Sequence, residues 1–359
     1  MAKHCKSSEG GVIYLDYQAT TPMAPEAFAA MEPWLKDGYW NPHSTHAGGR
    51  KAAAAVEIAR DQVAALLPSG GRVIFTSGAT EALNLAIKGC SLPVAALATE
   101  HAAVLDCVAY AGGTVVPVEA DGRAEHVVSG PGLFAAMLVN NEIGTIQPVA
   151  ELAEQCHGQG GLLLCDAVQA FGRMPVPDGP DLIAISAHKT HGPKGIGALW
   201  VRDGIILAPL MHGGGQEQGL RSGTLSPALC AGFGAAAQLA AQRMEQDAAH
   251  VALLWDHARA AFADWTVNGS TTHRYKGNLN LRRDGVDVGR LMSECRDIAF
   301  SAGSACASGS GRTSHVLSAL GLSQTQAKSS IRLGFGRYTT LAEIDIAAEA
   351  INRAAEAML

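Results

Sequence analysis

The 359-residue sequence contains no Cys-x-x-Cys pair, no cluster of basic residues, no internal repeat and no stretch approaching about eighteen consecutive apolar residues. Each absence removes a class of function. Without a paired-cysteine spacing, the eight cysteines (5, 90, 107, 156, 165, 230, 295 and 306) outline no zinc or iron–sulfur cage, and most read as small reduced core residues. His43 with His46, and His188 with His191, are spaced three apart but lack a thiol or carboxylate partner, so spacing gives no metal site. A formal charge of −6 and a pI near 6.1 give no electrostatic reason to expect nucleic acid. The missing apolar run argues against a membrane span. The opening MAKHCKSSEGG lacks the apolar centre of a secretory signal and passes directly into a strand-like VIYLDY, so a cytoplasmic protein is expected.

What is present is an alternation of short apolar runs with amphipathic segments, the pattern of an α/β fold with a mainly parallel sheet. Strands are predicted at Arg72–Thr76, Leu162–Cys165, Leu182–Ser186 and Gly197–Val201, with helices such as Gly49–Leu67 and Glu81–Lys88 between them. Alanine-rich helices are predicted from Pro227 to about Ala263. Shorter strands then follow at Asn278–Leu281 and Ile331–Phe335, which sets a domain boundary near residue 250. The glycine-rich MHGGGQEQGLRSGT (211–224) reads as a functional loop rather than a linker.

One thiol stands apart. Cys306 lies in SAGSACASGSG (301–311), where every other residue is glycine, alanine or serine. No apolar period surrounds it, and Gly303, Gly309 and Gly311 favour a mobile loop. Taken alone, it could be an incidental cysteine in a surface turn.

Three other segments bear chemistry. In FTSGATEALNLAIKG (75–89) a strand ends, Ser77–Thr80 turns and a helix begins; bare amides and the Thr80 hydroxyl there could hold an anion, or Thr80 or Ser77 could simply cap the helix. In LLLCDAVQAFG (162–172), Asp166 stands at a strand's C-terminal end, where such sheets hold ligands, or else caps the next helix. In ISAHKTHGPKGIGALWV (185–201), Lys189 follows another apolar strand, with Ser186 and His188 before it. A desolvated lysine there can form a Schiff base with an aldehyde cofactor. Together, lysine, acid and phosphate turn fit pyridoxal 5'-phosphate, which needs a partner for its aldehyde, its ring nitrogen and its phosphate.

With these segments in place, the sequence resembles the cysteine desulfurases of the NifS/IscS type, class V members of the aspartate aminotransferase-like fold (fold type I). The resemblance rests on YLDYQATTP (14–22), NPHSTHAGGR (41–50), FTSGATEALNLAIKG, TEHAAVLD (99–106), VNNEIGTIQPV (139–149), CDAVQAFG, SAHKTHGPKGIGALWVR, MHGGGQEQGLRSGT, SAGSACAS and SSIRLGFGR (329–337), in family order. It implies a large cofactor-binding domain over 16–250 and a small domain from 1–15 and 251–359 that carries the cysteine loop. It implies that Lys189 carries the cofactor and shuttles the Cα proton, that Asp166 keeps the ring nitrogen protonated, and that His101 stacks on the ring. Gln169 would bond the phenolic oxygen. Asn141 would lie near the substrate carboxylate and ring oxygen. Ala79, Thr80, Ser186 and His188 would hold the phosphate, joined by Thr224 from the partner of a homodimer. Arg332, with Asn41, would bind the substrate carboxylate. Cys306 would take sulfur from L-cysteine as a persulfide, leaving alanine, and pass it to an iron–sulfur scaffold or another acceptor; a cluster held transiently through Cys306 is also possible by resemblance.

The sequence departs from the family in a short span between His101 and Asn141, in an end at Leu359 soon after the last helix, which puts scaffold docking in question, and in Gln18, to which no consequence attaches. Competing readings are a selenocysteine lyase, an aminotransferase or another class V enzyme, a cofactor-free thiol hydrolase and a non-catalytic sulfur-trafficking partner. A transaminase needs no mobile thiol, and a hydrolase would be colourless.

Overall fold

The computed structural model describes residues 11–124, 130–303 and 314–359. In chain order its strands are β1 (Ile13–Tyr14), β2 (Gly71–Thr76), β3 (Val94–Leu97), β4 (Thr114–Val116), β5 (Leu133–Met137), β6 (Leu162–Asp166), β7 (Leu182–Ser186), β8 (Gly197–Arg202), β9 (Thr266–Val267), β10 (Asn278–Arg282), β11 (Ile298–Ala299), β12 (Ser301–Ala302) and β13 (Ser330–Gly334). The α-helices are α1 (Pro25–Lys36), α2 (Ala47–Ala64), α3 (Ala79–Cys90), α4 (Ala102–Tyr110), α5 (Val149–Gly158), α6 (Pro227–Ala261), α7 (Val288–Glu294), α8 (His315–Ala319), α9 (Gln324–Lys328) and α10 (Leu341–Glu356).

Seven strands form one large sheet in the order β2-β8-β7-β6-β5-β3-β4. Five of them pair in parallel; β8 runs antiparallel to both β2 and β7. The fold is therefore α/β with a mixed, mostly parallel sheet, as the alternation of the sequence implies. Every residue of β3, β5 and β7 is buried, because helices cover both faces of the sheet and two apolar clusters fill the space on its two sides. A second sheet, β12-β13-β10-β9, backs onto a separate core with Phe262, Trp265, Leu281, Phe335 and Ile351. β1 pairs in parallel with β11, so the first described strand joins the C-terminal half of the chain.

The expected alanine-rich helices are one continuous helix, α6, of 35 residues. Pro227 at its first turn and the Ser226 side chain, which accepts from Leu229 N–H, start it. Its alanines keep it going past residue 250: Ala236, Ala237 and Ala240 are buried near its start, while Leu254 and Ala258 belong to the second core. Two features then fix the site. The parallel strands end together, and a Cβ on Gly197 of β8 would lie 2.8 Å from Gly78 Cα, so only glycine lets the turn before α3 close onto the sheet.

Candidate active site

At the C-terminal ends of β5, β6 and β7 lies a cavity of about 410 Å³. The chain brings to its wall Ala79, Thr80, His101, Asn141, Asp166, Gln169, Ser186, His188, Lys189 and Arg332. Ten of the residues singled out from sequence, drawn from segments 250 residues apart, thus share one space.

The turn before α3 is suited to an anion. Gly78 is the N-cap of α3, and no side chain caps the helix, so the capping alternative for Ser77 or Thr80 fails. The first-turn amides stay available next to the positive end of a 12-residue helix. Glu81 bonds back to Ser77 N–H at 2.7 Å and pairs with Arg221 at 2.7 Å, which ties the glycine-rich loop to this turn.

Asp166 is the last residue of β6, and its Oδ1 accepts from Val168 N–H at 2.9 Å. Burial raises its pKa, an effect opposed by that amide and by the His101 and Lys189 charges. Nearby Glu100 is buried too and is pushed well above the usual carboxylate range, first by burial and then by Asp166.

Lys189 follows β7 in a single 3-10 turn, and its Nζ donates to the Gln18 and Ala19 carbonyls at 2.5 and 2.7 Å. His101 caps α4: its Nδ1 accepts from Ala103 N–H at 3.1 Å, which leaves the ring proton on Nε2. His188 meets Thr20 Oγ1 through Nδ1 at 3.1 Å, and burial, with Lys189 next, lowers its pKa to about 4, so it is neutral.

Arg332 sits mid-strand in β13 between Asn280 and Ser301 and is 1 % exposed. It donates to Asp16 Oδ1 (2.7 Å), Asn141 O (3.1 Å) and Ser301 Oγ (3.3 Å), while its buried Nε–H has no partner among the described residues. A buried guanidinium with unused donors at a cavity wall is suited to a carboxylate ligand.

Asn41 and Thr224 lie outside this wall. Asn41 is exposed and accepts from His43 N–H; Thr224 is exposed on the far end of the loop that Arg221 holds. Cys306 lies outside the described residues. Sequence reasoning missed Asp16, Gln18, Lys194 and Arg173. Gln18 carries a consequence after all: its carbonyl takes both Lys189 Nζ and Gln169 Nε2, and its side chain bonds Gly277 O. No local signal marks Asp16 or Gln18, because the side chains and carbonyls they meet lie more than 150 positions away.

The "Aminotransferase class-V" family model matches residues 13–346. The chain belongs to the class V aminotransferase family, among its NifS/IscS-type cysteine desulfurases. It is 41 % identical over 368 residues to "Cysteine desulfurase IscS" of Rickettsia akari (strain Hartford), covering 94 % of this chain and 90 % of that one. Among solved structures it is similar to a NifS-like protein from Rickettsia africae ESF-5 at TM-score 0.89 and 27 % identity, covering 96 % and 99 % of the two chains. It is also similar to "SspA in complex with cysteine" at TM-score 0.79 and 32 % identity, covering 91 % and 99 %. Among the described residues no group of three His, Cys, Asp or Glu side chains could hold a metal, and no helix is long and apolar enough to cross a membrane.

Proposed function

We propose that this chain is a cysteine desulfurase that uses pyridoxal 5'-phosphate to move the sulfur of L-cysteine onto Cys306, leaving L-alanine. The observation that carries this reading is the convergence of a lysine amine, a buried carboxylate, an uncapped helix start and a buried arginine on one cavity. A volume of about 410 Å³ suits a cofactor with a small amino acid, and the donor set matches the group's aldehyde, ring nitrogen, phosphate and ligand carboxylate.

Lys189 would hold the cofactor through its amine and, once released, move the Cα proton. Asp166 would pair with the ring nitrogen and favour its protonated form; a positive partner there would offset the burial that raises the carboxylate's pKa. The Ala79 and Thr80 segment, Ser186 and neutral His188 hold the phosphate, with Thr224 of a second copy. His101 would pack on the ring, Gln169 would donate to its phenolic oxygen, and Arg332, with Asn141 and Asn41, would take the substrate carboxylate. Bound there, the cofactor supplies an electron sink conjugated to the substrate Cα. The Cys306 thiolate would form an S–S bond to the substrate sulfur as the C–S bond breaks; the bonding pair stays on the substrate carbon, which a proton completes as alanine, so no outside oxidant is required. All six described cysteines are poor candidates for that role, because burial raises the pKa of each thiol.

The same reading makes the enzyme a cytoplasmic homodimer in two domains (16–250; 1–15 with 251–359) and a sulfur donor to acceptor proteins such as an iron–sulfur scaffold. The test is borohydride reduction of the yellow holoenzyme followed by peptide mapping. The label is expected on Lys189, and a label on Lys194 or Lys88 would overturn the assignment.

A further inference from the structure

Arg173 lies behind the cavity rather than in its wall. Its Nη1 donates to Gln169 Oε1 at 2.7 Å, and its Nη2 donates to Lys189 O at 2.6 Å and Tyr17 O at 3.3 Å. The guanidinium also stands over the Tyr275 ring at 5.5 Å. No carboxylate pairs with it among the described residues: Asp247, which lines the same small pocket, already pairs with Arg243 and Arg337. A sequestered guanidinium with no counter-ion is costly unless its hydrogen bonds accomplish something.

What they accomplish is a choice of amide orientation. A glutamine amide can offer either its oxygen or its NH₂ to a neighbour. Arginine has only donors, so Arg173 compels Oε1 to face it. Nε2 then faces the other way, gives one hydrogen to Gln18 O at 3.0 Å and keeps one. On the reading of Gln169 given above, we propose that Arg173 is a positioning residue: it locks the Gln169 amide so that the remaining Nε2–H is presented to the phenolic oxygen of the cofactor. Without Arg173 only the Gln18 carbonyl still favours this orientation, and in the flipped form the amide oxygen would oppose that phenolate. The bonds to Lys189 O and Tyr17 O offer a competing, purely structural role, which the test must separate.

The phenolate shares the proton of the Lys189–cofactor linkage. A donor to the phenolate draws off its charge and loosens that proton, so losing the donor should raise the midpoint at which the visible band changes with pH. Asp166, His101, His188, Lys194 and Arg332 face the same cavity and stay constant in every variant. The experiment titrates the visible band of the holoenzyme and of Gln169→Ala, Arg173→Met, Arg173→Lys and Gln169→Ala/Arg173→Met, with melting curves to verify folding. We expect Gln169→Ala and Arg173→Met each to raise the midpoint by about one pH unit, and Arg173→Lys, which can hold only one of the acceptors, by less. The double variant should match Gln169→Ala alone. A folded Arg173→Met with an unmoved midpoint overturns the proposal, as does a shift that adds in full to that of Gln169→Ala. An unmoved Gln169→Ala overturns it by removing the contact on which it acts. If Arg173→Met does not fold, a shift in Arg173→Lys that vanishes on the Gln169→Ala background decides in favour. A wild-type protein with no visible band defeats the cofactor reading itself.

Discussion

Asp16 and Arg332 meet at 2.7 Å although 316 residues separate them. The same Asp16 oxygen accepts from Ser301 Oγ at 2.9 Å, so one carboxylate aligns an arginine and a serine of the second sheet. With Arg332 1 % exposed, this partner is what makes a charged side chain tolerable mid-strand. It occupies one edge of the guanidinium and leaves Nε–H free.

Asp16→Asn should therefore spare cofactor binding and weaken capture of the substrate carboxylate. A charge-assisted bond is worth roughly 1.5–3 kcal/mol, so KM for L-cysteine should rise about tenfold or more with a smaller change in kcat. Steady-state kinetics on a protein with an unaltered visible band will check this; an unchanged KM would refute the positioning role.

Cys306→Ser should remain yellow and change its spectrum on addition of L-cysteine, yet form neither sulfide nor alanine over multiple turnovers. Because the six described thiols have raised pKa values, none is expected to substitute for it. Sulfide release at the normal rate from this variant would exclude the nucleophile.

Thr224 should act in the partner's site. Its hydroxyl is exposed, while Arg221, three residues earlier, is anchored to Glu81. Lys189→Ala and Thr224→Ala subunits, unfolded and refolded together at limiting cofactor, should give more activity than either parent, since each mixed dimer regains one site with both residues. No gain would place Thr224 within its own subunit's site.

Stability should fall with acid through His191. Its Nδ1 donates to Pro22 O at 2.8 Å, and burial, with Arg337 next, lowers its pKa to about 3. The unfolded chain, with an ordinary histidine near 6.5, binds the proton first. The native state therefore loses up to about 1.4 kcal/mol per pH unit as pH drops from roughly 6.5 towards 3. Urea midpoints measured between pH 7.5 and 4.5 should show this slope in the wild type and a flatter one in His191→Asn; equal slopes would exclude the residue as the cause.

The readability of the sequence followed the range of the forces involved. Asp166 and Lys189 could be found because each follows a short apolar strand, and α3 because a turn and a period of 3.6 adjoin it. β3 and β5 gave no such signal: Val94–Leu97 and Leu133–Met137 are buried on both faces, and their alanine-rich runs lack the alternation that marks a half-exposed strand. Asn41 and Thr224 were reached only through resemblance, and neither lies on the cavity of a single chain. Asp16 and Gln18 were silent because their effects depend on carbonyls and side chains that only tertiary folding brings near; Arg173 touches Gln169 four positions away, but no sequence pattern ties that pair to a cofactor.

The pairing of β1 with β11 also imposes a wait during synthesis. Asp16 leaves the ribosome 316 residues before Arg332 does. At about 5–20 residues per second that interval is roughly 15–60 seconds. Until Leu254 and the residues after it emerge, Leu15, 1 % exposed in the finished protein, has no permanent cover, since the cluster it joins draws on them. The large sheet can be complete from residue 202, but Arg332, proposed above for the substrate carboxylate, lies in the second sheet and emerges after every other residue of the cavity wall. A nascent chain stalled before residue 332 should thus be able to hold a cofactor while still unable to grip an amino acid.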